Sequence, residues 1–156
     1  NIRLHIAGGG NAQPYQQEAE ALNVNERCIW HGAVSHEEVQ RLMQEADVFF
    51  FTSVAEGTPH VVLEAIGNSL PIVCFDVCGQ GDSVDEKVGV KIPLSNPQKS
   101  VEEFAQKITY LYENPAMLQQ LAEGCKERQK ELSWESKALQ MVELYKKCLP
   151  HNTLLE

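Results

Sequence analysis

The sequence has no long apolar run and few basic residues. None of its 156 residues belongs to a run of about 20 apolar residues, the length that a membrane-spanning helix needs, and we expect no signal peptide. Lysine and arginine number 13 against 22 aspartate and glutamate residues, for a net charge of −9. This acidity disfavours nucleic acid and anionic membranes as main partners. We therefore expect one globular, cytoplasmic domain that binds no nucleic acid.

Paired cysteines and metal-ligand clusters are also lacking. The five cysteines are odd in number and scattered, and most lie in apolar patterns, which favours buried thiols in a reducing compartment. Cys74 and Cys78 have no second pair to complete a metal site. The acidic group around Asp82 and Asp85 is better explained as a solvated helix start. We expect neither a metal nor a cofactor.

Short apolar segments alternate with helical patterns through most of the chain. This alternation is typical of an α/β fold, a Rossmann-like parallel sheet with helices on both faces. The predicted strands are Ile2–Ala7, Arg27–His31, Asp47–Phe51, Ile72–Phe75 and Val88–Ile92. The predicted helices are Gln13–Leu22, His60–Ser69, a single turn at Ser83–Glu86, and four more that begin at Ser35, Ser100, Asn114 and Ser133. Two of these starts are capping boxes, Ser35 with Glu38 and Ser100 with Glu103. The domain is expected to span 1–149, with 150–156 a tail that is vector-derived at its end.

In parallel sheets of this kind, ligands bind beyond the carboxyl ends of the strands. Four glycine-bearing loops follow predicted strands: Gly8–Pro14, Gly32–Ser35, Thr52–Pro59 and Asp76–Asp82. For each loop alone, turn chemistry is a sufficient explanation. Their convergence on one edge of the sheet favours a nucleotide site.

The stretch Asp47–Phe75 contains one unexpected charge. Apolar residues surround Glu64 on nearly the whole circumference of its helix, and a buried carboxylate is destabilising unless it is paired. Glu64 lies on a narrow solvated strip, pairs with a core lysine or arginine, or meets a polar ligand. Glu56 lies eight positions earlier, just outside the helix start, where Thr58 is expected to cap the helix and Pro59 to occupy its first position. Free N–H groups there also favour phosphate.

The pattern S-x-x-E-G-x-P-x-V-x-L-E-A resembles the E-x7-E signature of retaining GT-B glycosyltransferases (glycosyltransferase family 4-like, "glycosyl transferases group 1"). It is carried by Ser53, Glu56, Gly57, Pro59, Val61, Leu63, Glu64 and Ala65, and the resemblance extends from Leu4 to Leu149. It implies that this chain is the nucleotide-sugar donor domain, that Glu64 holds the ribose hydroxyls and that Glu56, the candidate catalytic residue, contacts the donor sugar. The donor-binding residues it implies are Gly9, Val34, Ser53, Gly57, Thr58, Pro59, His60, Val61 and Glu64.

The resemblance also implies what the chain lacks. In the family, the donor domain begins with one more strand-helix unit, which carries a Gly-Arg and a Lys that bind the diphosphate. An N-terminal domain holds the acceptor. We therefore expect a partial donor domain of a retaining, hexosyltransferase-like enzyme, inactive alone, whose partners are a nucleotide-diphosphate sugar and the N-terminal domain.

The first strand of the family's donor domain lies between the strands predicted here at Ile2–Ala7 and Asp47–Phe51. We expect five parallel strands in one sheet. Either these two strands pair with each other, or another segment or a second copy of the chain fills the gap. The loop Cys78–Ser83 departs from the family's Gly-Gly-x-Pro-Glu pattern, so the resemblance does not establish contacts from this loop to the donor.

Three other functions compete with this interpretation. A dinucleotide oxidoreductase is disfavoured because Gly8–Gln13 lacks the third glycine of G-x-G-x-x-G and no acidic residue ends the second strand. A sugar-nucleotide epimerase of related fold is disfavoured by the Glu56–Glu64 spacing. A non-catalytic sugar-nucleotide-binding or interaction fragment remains open.

Overall fold

Strands and helices alternate along the first part of the chain, and three long helices complete it. A computed structural model describes residues 2–149. The strands are β1 (Leu4–Ala7), β2 (Cys28–Gly32), β3 (Phe49–Phe51), β4 (Ile72–Phe75) and β5 (Gly89–Ile92). The helices are α1 (Gln13–Ala21), α2 (His36–Glu45), α3 (His60–Gly67), α4 (Cys78–Ser83), α5 (Pro97–Glu113), α6 (Pro115–Leu132) and α7 (Trp134–Cys148). The expected tail, 150–156, lies outside the described residues.

Strand β4 is the centre of the larger sheet. It pairs in parallel with β3 on one side and with β5 on the other, and all four of its residues are buried. Because strand side chains alternate between faces, Ile72 and Cys74 belong to one apolar cluster and Val73 and Phe75 to another. A continuous apolar strand between two covered faces is the arrangement that parallel sheets require.

Helices cover both faces of this sheet. On the face of Ile72, α3 contributes Val62 and Ile66 and α6 contributes Cys125 to the cluster. On the opposite face, Phe104 of α5 packs edge-on against Phe50 and Phe75, with ring centroids 4.9 Å apart in each pair. The α/β class predicted from the alternation of segments is confirmed.

The prediction of one five-stranded sheet is wrong. Strands β1 and β2 form a separate two-stranded parallel sheet, and β3, β4 and β5 form the other. Among the described residues, β1 and β3 do not pair with each other, so each has a single strand neighbour. Leu4 in β1 remains 41% exposed. The gap lies between the same two strands that the sequence places on either side of a missing one, and whether another segment fills it stays a prediction.

The two predicted capping boxes have different outcomes. Ser35 caps α2, since its Oγ accepts from the Glu38 N–H at 3.2 Å, although the Glu38 carboxylate bonds to Arg41 instead of the cap. The start predicted at Ser100 is wrong because α5 begins at Pro97, three residues earlier. There the side chain of Asn96 accepts from the Lys99 N–H at 3.0 Å, and a proline in the first turn has no N–H to leave unpaired.

Other boundaries agree within a few residues, with one exception. The single turn predicted at Ser83–Glu86 lies instead at Cys78–Ser83, directly after β4. Helix α6 begins at Pro115 and α7 follows the Ser133 cap, as predicted. None of the residues of α7 is buried, and Trp134 at its start is 90% exposed. Within residues 2–149, no helix combines the length and apolarity needed to cross a membrane.

Gly124 lies where α6 contacts the segment before β5. An added Cβ there would lie 1.9 Å from the Lys87 carbonyl oxygen, whereas one added at Gly67 would meet nothing closer than 3.8 Å. Alanine is normally more favourable than glycine in a helix by about 1 kcal/mol. We nevertheless expect Gly124→Ala to lower the free energy of unfolding by about 1–3 kcal/mol, because α6 must move away.

Urea denaturation of Gly124→Ala, with Gly67→Ala as the matched control, measures this effect. The control is expected to match the original chain or exceed its stability. Equal stability of the two variants would show that α6 does not pack closely against Lys87.

Candidate functional site

Two glycine loops meet at the end of the smaller sheet. The Gly8 N–H after β1 donates to the Gly32 carbonyl at the end of β2, at 2.8 Å. Gly32 has a φ of +66°, a left-handed conformation that suits glycine. Gly9 is exposed and Val34 is half-buried, on either side of this junction. The carboxyl ends of β1 and β2 therefore present open backbone at one edge.

Helix α3 begins differently from the prediction. Its N-cap is Pro59, which is buried, and its first residue is His60, which is exposed. The expected cap by Thr58 is wrong, because α3 has no side-chain cap hydrogen bond. Proline stands one position before the helix, where its restricted φ of −72° is compatible with an extended ψ of 101°. The first-turn N–H groups of α3 therefore lack a side-chain acceptor. Val61, in the same turn, is half-buried.

Glu56 lies in the loop between β3 and α3, which we call the acidic loop (Ser53–Gly57). Its Oε1 accepts a hydrogen bond from the Ser53 Oγ at 2.9 Å. Glu56, Gly57 and Thr58 are exposed, and Ser53 is half-buried. The loop thus presents a carboxylate to solvent while one of its oxygens is held from within the loop.

Glu64 lies on α3 and faces α2. Its side chain is 32% exposed, and its Oε2 accepts from the Gln40 Nε2 at 2.9 Å, with the His36 Nδ1 at 3.8 Å. Asn68 completes the network by donating to the Gln40 Oε1 at 2.7 Å. Among the ion pairs of residues 2–149, none joins Glu64 to a lysine or arginine, so pairing with a core cation is not the explanation of this charge.

The structure therefore joins the sequence-predicted residues in two groups. Ser53 and Glu56 form one group, in the loop before α3. Glu64 forms the other with Gln40 of α2. In the described part of the chain, no hydrogen bond joins Gly9 or Val34 directly to either glutamate. A ligand that contacts both loops would lie across them.

Three site neighbours could not be predicted from local sequence. Lys91 of β5 reaches the segment that follows β4, with its Nζ 2.9 Å from the Asp76 Oδ1 and 3.0 Å from the Gly81 carbonyl oxygen. Arg128 of α6 donates to the Asp82 and Ser83 carbonyls. Gln80 in α4 donates to the Ser53 carbonyl. All three act across the fold, and only the strand and helix packing brings them there.

The cysteine thiols differ in environment. Burial raises the pKa of the Cys74 thiol in β4 to about 11, and it does the same to Cys125 in α6. Both are therefore protonated at neutral pH. Cys78 and Cys148 are exposed, so the expectation of buried thiols fails for these two. No group of three or more His, Cys, Asp or Glu side chains in the part of the chain that the structure describes is arranged to hold a metal ion.

Comparison with known proteins gives a family match. A family model described as "Glycosyl transferases group 1" matches residues 1–130. The "Putative glycosyltransferase EpsD" of Bacillus subtilis is 26% identical over 147 residues, covering 93% of this chain and 37% of that protein. The "D-inositol 3-phosphate glycosyltransferase" of Corynebacterium urealyticum is 30% identical over 152 residues, covering 93% of this chain and 35% of that protein.

Solved structures share the fold. Anabaena HepE, determined in complex with UDP, matches with a TM-score of 0.77 at 20% identity, covering 94% of this chain and 41% of HepE. The sucrose-phosphate synthase of Thermosynechococcus elongatus matches with a TM-score of 0.70 at 24% identity, covering 94% of this chain and 38% of that chain. The chain thus spans little more than a third of the length of the proteins compared here.

Proposed function

The chain belongs to the glycosyl transferases group 1 family, and on that premise we propose that it is the nucleotide-sugar donor-binding part of a retaining GT-B glycosyltransferase. The glycosyl acceptor would be held by an N-terminal domain elsewhere in the parent protein. This division is supported by the share of its relatives that the chain spans, 37% of EpsD and 35% of the inositol-phosphate enzyme. The UDP bound to HepE supports a nucleotide diphosphate as the shared part of the donor.

The observation that carries the proposal is the pair of carboxylates around the start of α3. Glu64 keeps acceptor capacity beyond its bond to Gln40, since a carboxylate has about four lone-pair sites. We propose that it accepts hydrogen bonds from the vicinal hydroxyls of ribose. Glu56, exposed in the acidic loop, would contact the donor sugar. The uncapped first turn of α3 lies between them and would receive the diphosphate.

Chemistry at this site would depend on positioning. No side chain of the described residues stands out as a general base, so none is assigned that role. Retaining transfer would proceed with the donor held between the two glutamates while the diphosphate leaves toward N–H groups and cations. The Arg and Lys implied by the resemblance would come from the additional strand-helix unit of the parent protein.

A non-catalytic donor-binding fragment is the second candidate, and one observation favours it for the isolated chain. The basic residues nearest the edge are already committed. Lys91 pairs with Asp76, and Arg128 binds the carbonyls of Asp82 and Ser83 and the Glu131 carboxylate. Little positive charge remains for a diphosphate.

We predict that the isolated chain binds nucleoside diphosphates weakly, with a dissociation constant on the order of 1 mM, or about −4 kcal/mol. An exposed helix start contributes only about 0.3–1 kcal/mol toward an anion. NMR titration with UDP, GDP and ADP measures the affinity, and incubation with nucleotide sugars tests transfer. Micromolar binding would show that the chain's own backbone suffices, and turnover without an N-terminal domain would overturn the proposal.

Glu64→Gln in the full-length protein tests the role of this carboxylate. We expect nucleotide-sugar binding to weaken by about 1–3 kcal/mol, because a charged acceptor is lost. Folding is expected to change little, since a neutral amide of the same shape replaces a half-buried charge. Glu123→Gln, on the exposed surface of α6, is the matched control for calorimetric titration. A lower free energy of unfolding with unchanged donor affinity would make Glu64 structural.

We propose that a further parallel strand of the parent protein pairs with the free edges of β1 and β3. In the isolated chain, a second copy would occupy the same edge, because open strand edges are templates for association. Sedimentation velocity over a range of concentrations is expected to show reversible self-association, which Leu4→Lys weakens and Val101→Lys, on exposed α5, does not. A monomer at every concentration would contradict self-association.

A further inference from the structure

The turn after β4 holds the acidic loop at three points. The Gln80 Nε2 donates to the Ser53 carbonyl at 2.9 Å, and the Cys78 Sγ lies 3.7 Å from the Val54 carbonyl oxygen. Gly79 lies so close that an added Cβ would be 1.9 Å from the Gly57 carbonyl oxygen. All three contacts are made to main-chain oxygens. They therefore fix the path of the loop whatever side chains it carries.

Gln80 is an unusual residue for its position. It is completely buried, at 0% exposure, although glutamine side chains are mostly exposed in proteins. Its Oε1 has no hydrogen-bond partner among the described residues, which is destabilising for a buried carbonyl. An apolar side chain of similar volume would fill this space without that penalty. What glutamine adds at this position is the N–H donated to Ser53.

The segment that carries Gln80 is itself firmly held. Lys91 of β5 donates to the Gly81 carbonyl at 3.0 Å, and Arg128 of α6 donates to the Asp82 carbonyl at 3.0 Å. Within α4, the Ser83 hydroxyl donates to the Gly79 carbonyl at 2.8 Å. Helix α4 is thus anchored to β5 and α6 independently of its contacts with the loop. It can transmit the rigidity of the core to a loop that has no regular structure.

Two hydrogen bonds then connect Gln80 to Glu56. The first fixes the Ser53 main chain, and in the second the Ser53 Oγ donates to the Glu56 Oε1 at 2.9 Å. We propose that Gln80 is a positioning residue that orients the Glu56 carboxylate through Ser53. The inference rests on the proposed function, in which Glu56 contacts the donor sugar. It adds that the Cys78–Gln80 turn acts on the donor through the acidic loop and not by touching the donor.

Gln80→Met tests the inference on the complete chain. Methionine keeps the length and approximate volume of the side chain but cannot donate to the Ser53 carbonyl. We expect amide hydrogen exchange of Val54–Thr58 to become about tenfold faster, in keeping with the loss of one net hydrogen bond, while exchange in β4 and β5 is unchanged. Gln120→Met, the same substitution on the exposed surface of α6, is the matched control and is expected to change neither.

Nucleotide titration provides the readout that a purely structural role would not move. UDP and UDP-glucose are the two probes, measured by NMR on the original chain and on both variants. Because Glu56 would contact the sugar and Glu64 the ribose, Gln80→Met is expected to weaken UDP-glucose several-fold relative to UDP, by less than about tenfold. UDP affinity itself is expected to stay the same.

The outcomes separate this inference from the proposed function. If amide exchange becomes faster throughout the chain, or does not become faster in Val54–Thr58, Gln80 is an ordinary core residue and the inference is overturned. Faster local exchange with an unchanged ratio of the two affinities would also overturn it, because the orientation of the Glu56 carboxylate would then not depend on Gln80. If the original chain binds neither probe even at high millimolar concentration, the proposed donor site fails on this chain, and the exchange measurement still decides whether Gln80 holds the loop.

Discussion

The burial of β4 on both faces is the constraint on which the rest of the structure depends. A strand of four buried residues, Ile72–Phe75, needs hydrogen-bonded neighbours at both edges and apolar cover on both sides. Strands β3 and β5 supply the first, and α3, α5 and α6 supply the second. Because α3 is fixed against β4 by Val62 and Ile66, Glu64 within that helix is fixed as well.

The polar side chains around the site follow the same logic. Helix α4 directs its carbonyls toward β5 and α6, and Lys91 and Arg128 satisfy them from those elements. These cations thereby complete backbone hydrogen bonds that burial would otherwise leave unpaired. The local charge balance at the carboxyl edge is left in favour of the carboxylates, which suits recognition of sugar hydroxyls better than recognition of phosphate.

The parts of this fold that could be predicted are those set by neighbours in sequence. The apolar run Ile72–Phe75 predicts its strand correctly, and Ser35 and Ser133 predict their caps, because each depends on a few adjacent residues. The start predicted at Ser100 is wrong because Asn96 caps α5 one turn earlier, where its side chain accepts from the Lys99 N–H. Periodicity does not distinguish a helix that starts at Ser100 from one that starts at Pro97, and only tertiary packing decides between them.

For the site, the sequence carries the residue types but not their partners. Glu64 is conspicuous among apolar neighbours, yet its bond to Gln40 depends on how α2 lies against α3. No local sequence pattern predicts the burial of Gln80. Glutamine in a glycine-rich loop predicts exposure, whereas the fold buries it completely. The prediction of a single sheet is wrong for a related reason, since pairing between β1 and β3 depends on main-chain edges that side-chain patterns do not encode.

The division into two sheets has a consequence for cooperativity. Between residues 2 and 46, only Ala19 and Met43 are buried, whereas the dense apolar clusters surround β4. A region with so little buried apolar surface, and no strand pairing to the larger sheet, has a lower free energy of local opening. The glycine junction at Gly8 and Gly32 lies in that region. Part of the free energy of any ligand bound across both loops is therefore consumed in ordering the β1–α2 segment, so occupancy of the site and stiffness of this segment rise together.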